Sequence, residues 1–314
     1  MGFELIRVKT RQDLERFVRL PWKIYKDPSY WVPPLIQERK NFLNPEINPF
    51  FEHAEVDLFL ALDSDRAPVG RIALIHDRNY QDVHSEDVGV FGMFESIDDP
   101  SVSRQLLDKA YQRCQEIGLA RLMGPMNLST NHECGLLVEG FDSPTMFGIP
   151  YNPEYYGKHF ESWGLKKAKD LLAFRLDPIK VPDYLEKAAL KLKRRNRFNV
   201  RCLDLSRFDK EISVLWDIYN SAWDLNWGFI PMTQKEFEFS AREMKAIIQP
   251  EFCMIAEVKG EPVGFSLALP DVNQVLKKLD GSLFPFGWAQ FLWQKNKIDA
   301  YRVLTLGVKK NYRR

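Results

Sequence analysis

The 314 residues include 44 basic and 43 acidic side chains, and this near-neutral balance gives no global attraction for nucleic acid, so we expect no DNA partner. The four cysteines are far apart and form no CxxC pair, which argues against a zinc site and for a reducing compartment. No apolar run reaches about 18 residues, and the N-terminus has no signal core. We therefore expect a cytoplasmic protein without a transmembrane segment, and the length suggests about two domains.

The first half of the chain predicts alternating strands and helices. Residues 3–8 alternate weakly and predict a strand, and Thr10 is a suitable N-cap for a helix that bends at Pro21. Further strands are predicted at residues 57–62, 121–127 and 169–176, and further helices at 35–43, 100–117 and 154–164. The most economical interpretation of His53 is a core or edge histidine with a backbone partner.

A strand–turn–strand pattern occurs twice. Residues 59–75 carry Pro68-Val69-Gly70, and residues 254–269 carry Pro262-Val263-Gly264, each at the exit of a tight turn. Each copy is followed by another apolar strand, at residues 88–94 and 303–308. The repetition predicts two domains of one fold, 1–177 and 178–314, joined by a proline-containing linker at 177–182.

The two copies differ in the charge that follows the third strand. An open α/β sheet binds anionic cofactors outside the carboxyl ends of its strands. The first loop carries three carboxylates that would repel a pyrophosphate, whereas the second carries four cations that would attract one. If either half binds a polyphosphate, the second half is therefore expected to do so; the alternative is a solvated basic tail. The carboxylates are Glu95, Asp98 and Asp99, and the cations are Lys309, Lys310, Arg313 and Arg314.

The densest cluster of small polar and acid–base side chains is the loop that runs from Asn127 to Gly135. Asn127, Ser129 and Asn131 could donate or accept hydrogen bonds from a substrate, and Glu133 could bind or deprotonate an amine. Burial would raise the pKa of Glu133 unless a neighbour such as Arg121 or His132 offsets it. The alternative is a capped loop whose side chains bond only its own backbone.

Two segments of the second half stand apart from the repeat. A basic helix at 184–197 predicts either a solvated face or a phosphate- or RNA-binding patch. A long insertion at 270–297 separates the strands and contains an apolar, aromatic stretch. This insertion could serve as a lid, a partner surface or an interfacial anchor, or it could pack on the neighbouring domain.

The order of elements resembles the GNAT superfamily of N-acetyltransferases, in tandem, and in particular a bacterial group of such proteins. The superfamily's marker, Q/R-x-x-G-x-G/A, is only begun at Arg313 or Arg314, so the chain is expected to end inside the second copy's motif. The strings that carry the resemblance are Trp31-Val-Pro-Pro34, Asn48-Pro-Phe-Phe-Glu-His53, Val69-Gly-Arg-Ile72, Gly124-Pro-Met-Asn127, Glu133-Cys-Gly-Leu136 and Leu306-Gly-Val308.

The resemblance implies a mixed-sheet α/β fold, with an incomplete second copy, that transfers an acyl group from acetyl-coenzyme A to a small-molecule or peptidyl amine without a metal. Leu306, Gly307 and Val308 would hold the pantetheine by backbone bonds, and the four cations after them would hold the pyrophosphate. Tyr155 or Tyr156 would protonate the leaving thiolate. Two alternatives stay open: a long-chain acyl or aminoacyl-tRNA donor, and a non-catalytic protein whose cofactor sites have decayed. A homodimer is also left open.

Overall fold

The structure is a computed structural model that describes residues 3–25, 30–176, 181–194 and 198–313. The strands are β1 (Glu4–Arg7), β2 (Ala54–Leu62), β3 (Pro68–Asp77), β4 (Val88–Ser96), β5 (Arg121–Met123), β6 (Asn199–Cys202), β7 (Cys253–Val258), β8 (Glu261–Pro270) and β9 (Tyr301–Val308). The helices are α1 (Arg11–Arg19), α2 (Pro21–Ile24), α3 (Ile36–Phe42), α4 (Arg78–His84), α5 (Pro100–Glu116), α6 (Tyr155–Trp163), α7 (Asp183–Arg194), α8 (Phe208–Trp223), α9 (Gln234–Met244), α10 (Asn273–Leu276) and α11 (Gly287–Gln294).

The chain divides into two compact units, each with its own sheet. The first unit comprises the described residues of Met1–Lys166, with Gly228–Ile230 and Asp271–Asp299. The second comprises those of Lys167–Trp227, Pro231–Pro270 and Ala300–Arg314. Most of the long insertion between β8 and β9 therefore belongs to the first unit.

The sheet of the first unit has the order β1-β2-β3-β4-β5, with antiparallel neighbours except for the parallel pair β4–β5. Side chains alternate between its faces, so β2 places Leu60 in one buried cluster and Phe59 in the other. Helices α1 and α3 cover the first face, and α5 and α6 cover the second. Both faces are thus apolar, which explains why β2, β3 and β4 are almost continuously hydrophobic.

The four-stranded sheet of the second unit repeats the order and antiparallel pairing of the first four strands of the first unit. Its order is β6-β7-β8-β9, so the hairpin at Pro262 occupies the same sheet position as the hairpin at Pro68. The next strand also pairs in the same register, since Gly70 lies opposite Ser96 and Gly264 lies opposite Val308. In each unit a bulge interrupts this pairing a few residues from the strand's end.

Two local predictions from the sequence were wrong. Residues 169–176, predicted as a closing strand, form no strand, and their apolar side chains such as Phe174 are exposed. An apolar stretch whose side chains pack against no core gains no burial that would stabilise it as a strand. The predicted strand at 121–127 is shorter and ends at Met123, where its parallel pairing with Val90 of β4 ends. Residues 177–180 of the predicted linker lie outside the described residues.

Candidate functional site

The polar loop sits where β4 and β5 separate. The two strands pair only from Val88 to Val90, and beyond that point Met126 donates a backbone hydrogen bond to Phe91 at 2.8 Å. Met93 then adopts a positive φ of 48° within the bulge of β4, and its N–H donates to the side-chain oxygen of Asn127 at 2.7 Å. Asn127 therefore occupies a backbone donor that the splayed strand would otherwise leave open.

Glu133 is held against the same amide. Asn127 donates its side-chain N–H to Oε2 of Glu133 at 2.7 Å, and Arg39 of α3 approaches that oxygen at 3.2 Å. Burial alone would raise the pKa of Glu133, but the nearby Arg39 charge, the Asn127 hydrogen bond and His132 outweigh it and lower that pKa. Arg39, the compensating cation, lies 94 residues away in sequence and was not expected from the pattern around Glu133. Glu133 is consequently a stable anion, suited to pairing with an ammonium group.

Ser129 and Asn131 are engaged with the protein itself. Ser129 Oγ accepts a hydrogen bond from the Asn131 N–H at 3.2 Å and lies 3.1 Å from Nδ1 of His132. Asn131 donates its side-chain N–H to the carbonyl of Ile230 at 2.8 Å, and Thr130 donates to that of Gly228 at 2.6 Å. These bonds fix the loop and the short segment 228–230 to one another. Substrate binding by Asn127, Ser129 and Asn131 stays a prediction.

The two candidate tyrosines bond the end of β4. Tyr155 is partly buried and donates to the carbonyl of Ser96 at 2.7 Å, while the buried Tyr156 donates to Glu95 at 2.7 Å and accepts from the Ser96 N–H at 2.8 Å. Burial and the charge of Glu95 raise the pKa of Tyr156, and burial with Asp98 and Glu95 raises that of Tyr155. Both phenols are thus proton donors at neutral pH, and Tyr155 is the more accessible of the two.

A buried cluster of Glu95, Arg71 and Tyr25 lies against Tyr156 and was not expected from the sequence. Glu95 does not face solvent as expected, because its carboxylate turns inward, 3.5 Å from the guanidinium of Arg71 and within 3.0 Å of the Tyr25 hydroxyl. Burial raises the pKa of Glu95 and, together with Glu95, that of Tyr25. The available signal was Arg71 itself, a cation in a strand whose neighbours are all apolar.

The remaining carboxylates of the first acidic loop behave differently. Asp99 caps α5, and its Oδ1 accepts from the Ser101 N–H at 2.8 Å, whereas the exposed Asp98 lies 3.4 Å from His159. The N-terminal amides of α5 are therefore already served by a carboxylate, and this helix terminus does not fit a pyrophosphate.

A second carboxylate–histidine contact lies near the polar loop. His53 places Nδ1 2.8 Å from Oδ1 of the buried Asp77, so its partner is a carboxylate rather than the backbone group that the sequence suggested. Phe50 stacks edge-on against both His53 and His132, which joins this pair to the loop. In the described residues, no three His, Cys, Asp or Glu side chains converge as metal ligands would.

The predicted cofactor segment of the second unit lies at the end of β9. Leu306, Gly307 and Val308 belong to this strand, and Gly307 packs so closely on the ring of Trp223 that a side chain would collide with it. Lys309 and Lys310 line a cavity of about 450 Å³. Two carboxylates share that cavity.

These carboxylates come from elsewhere in the unit and bind one of the cations. Lys309 Nζ lies 2.7 Å from Asp217 and 3.6 Å from Glu261. Arg313 donates to the carbonyls of Val308 and Ala222. The cavity supplies cations that a phosphate could use, but carboxylates already neutralise part of their charge. Arg314 lies outside the described residues.

Two sheets covered by helices make the described residues a mixed α/β fold, the class that the sequence predicted, whereas membership of the GNAT superfamily stays a prediction. The chain is similar to a tandem GNAT protein from the clavulanic acid biosynthesis pathway, with a TM-score of 0.47 and 9% identity over 85% of this chain and 74% of that one. It is also similar to a GCN5-related glucosamine N-acetyltransferase region of a fungal multi-domain β-N-acetylglucosaminidase, with a TM-score of 0.49 and 14% identity over 99% of this chain and 32% of that one.

Sequence comparison gives the family. The chain is 41% identical over 314 residues to a protein named bacterial ceramide synthase from Caulobacter vibrioides, covering 98% of this chain and 81% of that protein. It is 34% identical over 304 residues to protein YghO from Escherichia coli, covering 96% and 77%. No family model matches the chain. The chain belongs to the family that contains the C. vibrioides and E. coli proteins.

Proposed function

We propose that the protein is an N-acyltransferase that joins the acyl group of an acyl-coenzyme A thioester to the primary amine of a long-chain amino alcohol. The observation that carries this proposal is the 41% identity, along 98% of the chain, to a protein named ceramide synthase. A ceramide is the amide of a fatty acid with such an amino alcohol. This favours the long-chain donor over the acetyl donor expected from the sequence, and it favours an enzyme over a non-catalytic binding protein.

The reaction needs a neutral amine next to a thioester. The amine nitrogen attacks the thioester carbonyl, the carbon–sulfur bond breaks, and the products are an amide and the free thiol of coenzyme A. A group on the protein must therefore take a proton from the ammonium form of the acceptor, and another must supply one to the departing thiolate. Both kinds of group are present along the second half of β4.

Glu133 is our candidate for the acceptor side. Its lowered pKa keeps the carboxylate ionised, so Glu133 would bind and orient the ammonium group of the acceptor. It would then take a proton from that ammonium group, directly or through water. Tyr155 is our candidate for the thiolate side, because its phenol is protonated and only partly buried. Tyr156 is engaged on both sides of its hydroxyl by Glu95 and Ser96, and we assign it a positioning role.

For the second unit, taken by itself, we propose a separate coenzyme A site in which Lys309 and Lys310 contact phosphates and β9 from Leu306 to Val308 lies alongside the pantetheine arm. What supports this is their common position at the end of a strand and the cavity beside it. The Asp99-capped helix of the first unit lacks open amides for the same purpose.

The test is an assay with purified protein, acetyl- or palmitoyl-coenzyme A, and either sphinganine or a small hydrophilic amine such as glucosamine. Released thiol and amide product are measured together. We expect amide from palmitoyl-coenzyme A and sphinganine. Glu133→Gln should lower kcat by about a hundredfold, the range of a lost acid–base group.

Glu38→Gln is the matched control, because Glu38 pairs with the same Arg39 and is similarly exposed. It should leave turnover within a few-fold of wild type. If only acetyl-coenzyme A served as donor, the long-chain donor would be wrong and the protein would be an acetyltransferase for a small amine. Absence of amide with every pair would favour a binding protein, and equal loss in both variants would make Glu133 structural.

A further inference from the structure

The insertion between β8 and β9 is fixed firmly at its base. Asp271 accepts from the Phe147 N–H at 3.0 Å, and Asn273 donates to the carbonyl of Thr145 at 2.8 Å. The indole N–H of Trp22 donates to Asp280 at 2.7 Å. Buried apolar side chains complete the attachment, namely Val272, Val275, Leu279 and Ile298. The base is therefore part of the folded first unit rather than a loose loop.

The tip of the same insertion, residues 283–293, turns large apolar side chains outward. Phe284 is 84% exposed and Phe286 is 79% exposed. Trp288 and Leu292, four residues apart on α11, share a face and are each half exposed, and Trp293 is exposed beside them. So many exposed aromatic rings in one short segment are costly in water and mark a contact surface.

The charges around the tip are one-sided. No acidic residue occurs from Gly281 to Ile298, and Lys295 and Lys297 follow α11 directly. Lys297 lies with its ammonium 3.8 Å from the centre of the Trp293 ring. Lys277 and Lys278 are exposed after α10, and Lys278 donates to Gln294 at the end of α11. The acidic residues nearest in sequence, Asp280 and Asp299, belong to the base and accept hydrogen bonds from Trp22 and Gln274.

We propose that this tip docks on the surface of a lipid bilayer that contains anionic lipids. Aromatic rings prefer the headgroup level, and neighbouring lysines gain from the negative surface potential. A helix of eight residues cannot cross a bilayer, and among the described helices none combines the length and apolar character that crossing requires. The contact is therefore interfacial.

The lysines distinguish this partner from two others. A second copy of the chain would bring the same cations against themselves, and an uncharged acyl chain would leave them without a counterion. Phospholipid phosphates satisfy the rings and the lysines together. The proposal goes beyond acyl transfer and does not require it, because a docked protein need not be an active one.

The experiment is sedimentation of the purified chain with vesicles of phosphatidylcholine alone and of phosphatidylcholine with an equal share of phosphatidylglycerol. Binding should be much stronger to the anionic vesicles and should weaken with salt. Lys278→Gln and Lys297→Gln should each weaken it about fivefold. The double variant Phe286→Ser, Trp293→Ser should weaken it about tenfold or more.

Phe174→Ser is the matched control, since Phe174 is also 84% exposed but lies outside the insertion. It should bind vesicles as wild type does. Equal binding by the control and the tip double variant, or equal binding to neutral and anionic vesicles, would overturn the proposal. So would a wild-type dimer in ultracentrifugation that the tip variant dissolves, because the occupant would then be a second copy. A tip variant that binds vesicles normally but has a raised KM for palmitoyl-coenzyme A would reassign the tip to the acyl chain.

Discussion

Strands β4 and β9 occupy the same place in their two sheets, yet the chain that follows them carries opposite charge. The register is shared to the level of one hydrogen bond, since Ile97 donates to Val69 at 3.0 Å and Lys309 donates to Val263 at 2.7 Å. In the first unit Glu95 faces inward to Arg71, and in the second Lys309 faces Asp217. In each loop one charge is thus paired with an ion of opposite sign that is distant in sequence, and the two pairs differ in burial, since Glu95 is buried whereas Asp217 is exposed.

The largest loss of stability is expected from removing the buried ion pair of the first unit, Glu95 with Arg71. Glu95→Ala leaves the Arg71 guanidinium buried without its carboxylate and should lower the free energy of unfolding by about 3 to 5 kcal/mol. Urea denaturation measures this. Asp98→Ala, in the same loop but exposed, should cost less than about 1 kcal/mol. Similar losses in the two variants would show that the Glu95 pair is not the stabilising element.

The strands themselves give the next test. A side chain at Gly92 of β4 would place Cβ 1.8 Å from the backbone carbonyl oxygen of Met126, whereas at Gly307 of β9 the obstacle is the side chain of Trp223 at 2.2 Å. A ring can shift more easily than a backbone. Gly92→Ala should therefore cost about 3 kcal/mol or more, and Gly307→Ala about 1 to 3 kcal/mol.

Gly157 of α6 provides the control for these two substitutions. A Cβ there meets open space, and the backbone is helical. Gly157→Ala should stabilise the protein by up to about 1 kcal/mol. Thermal melts test this order. If Gly307→Ala destabilised the protein more than Gly92→Ala does, the contact between β4 and Met126 would relax more readily than its geometry suggests.

The sequence predicted the repeat well because the repeat is local. Pro68-Val69-Gly70 and Pro262-Val263-Gly264 define turns and strands by their own backbone preferences, and both hairpins lie where expected. The charges of the two loops were equally visible in the sequence, but the residues that pair with them were not. Arg71, Arg39 and Asp217 neutralise Glu95, Glu133 and Lys309 from other elements, and no spacing in the sequence brings these pairs together. Candidate site residues could be proposed from the sequence, whereas the direction of their pKa shifts depended on the tertiary structure.

Protonation sharpens the comparison within the first unit. The pKa of Glu133 is lowered from its ordinary value of 4.5, so its contribution to stability is present above that pH and is lost as the pH falls through the folded-state pKa. The pKa of Glu95 is raised above 4.5, so its contribution is fully present below that pH and is lost as the pH rises through the folded-state pKa.

The two glutamine variants should therefore differ in sign. The destabilisation caused by Glu133→Gln should grow as the pH rises from below 4.5 to neutral, while that caused by Glu95→Gln should shrink. Unfolding free energies measured over that pH range test this directly. Parallel pH profiles would show that burial does not separate the two carboxylates.

The smallest effect on stability is expected from the exposed ion pairs of Lys309, which also bear most directly on the proposed function. Asp217 and Glu261 are more than half exposed, so Lys309→Gln should lower the free energy of unfolding by at most about 1 kcal/mol, and high salt should abolish the difference.

If Lys309 contacts coenzyme A, the same carboxylates compete with the phosphates for its charge. Asp217→Asn should then strengthen coenzyme A binding by about fivefold in calorimetry, the effect of removing one like charge near the surface. Weaker binding by Asp217→Asn would mean that the carboxylate orients Lys309 for the phosphate rather than competing with it. Unchanged binding would place the pyrophosphate away from the cavity at the end of β9.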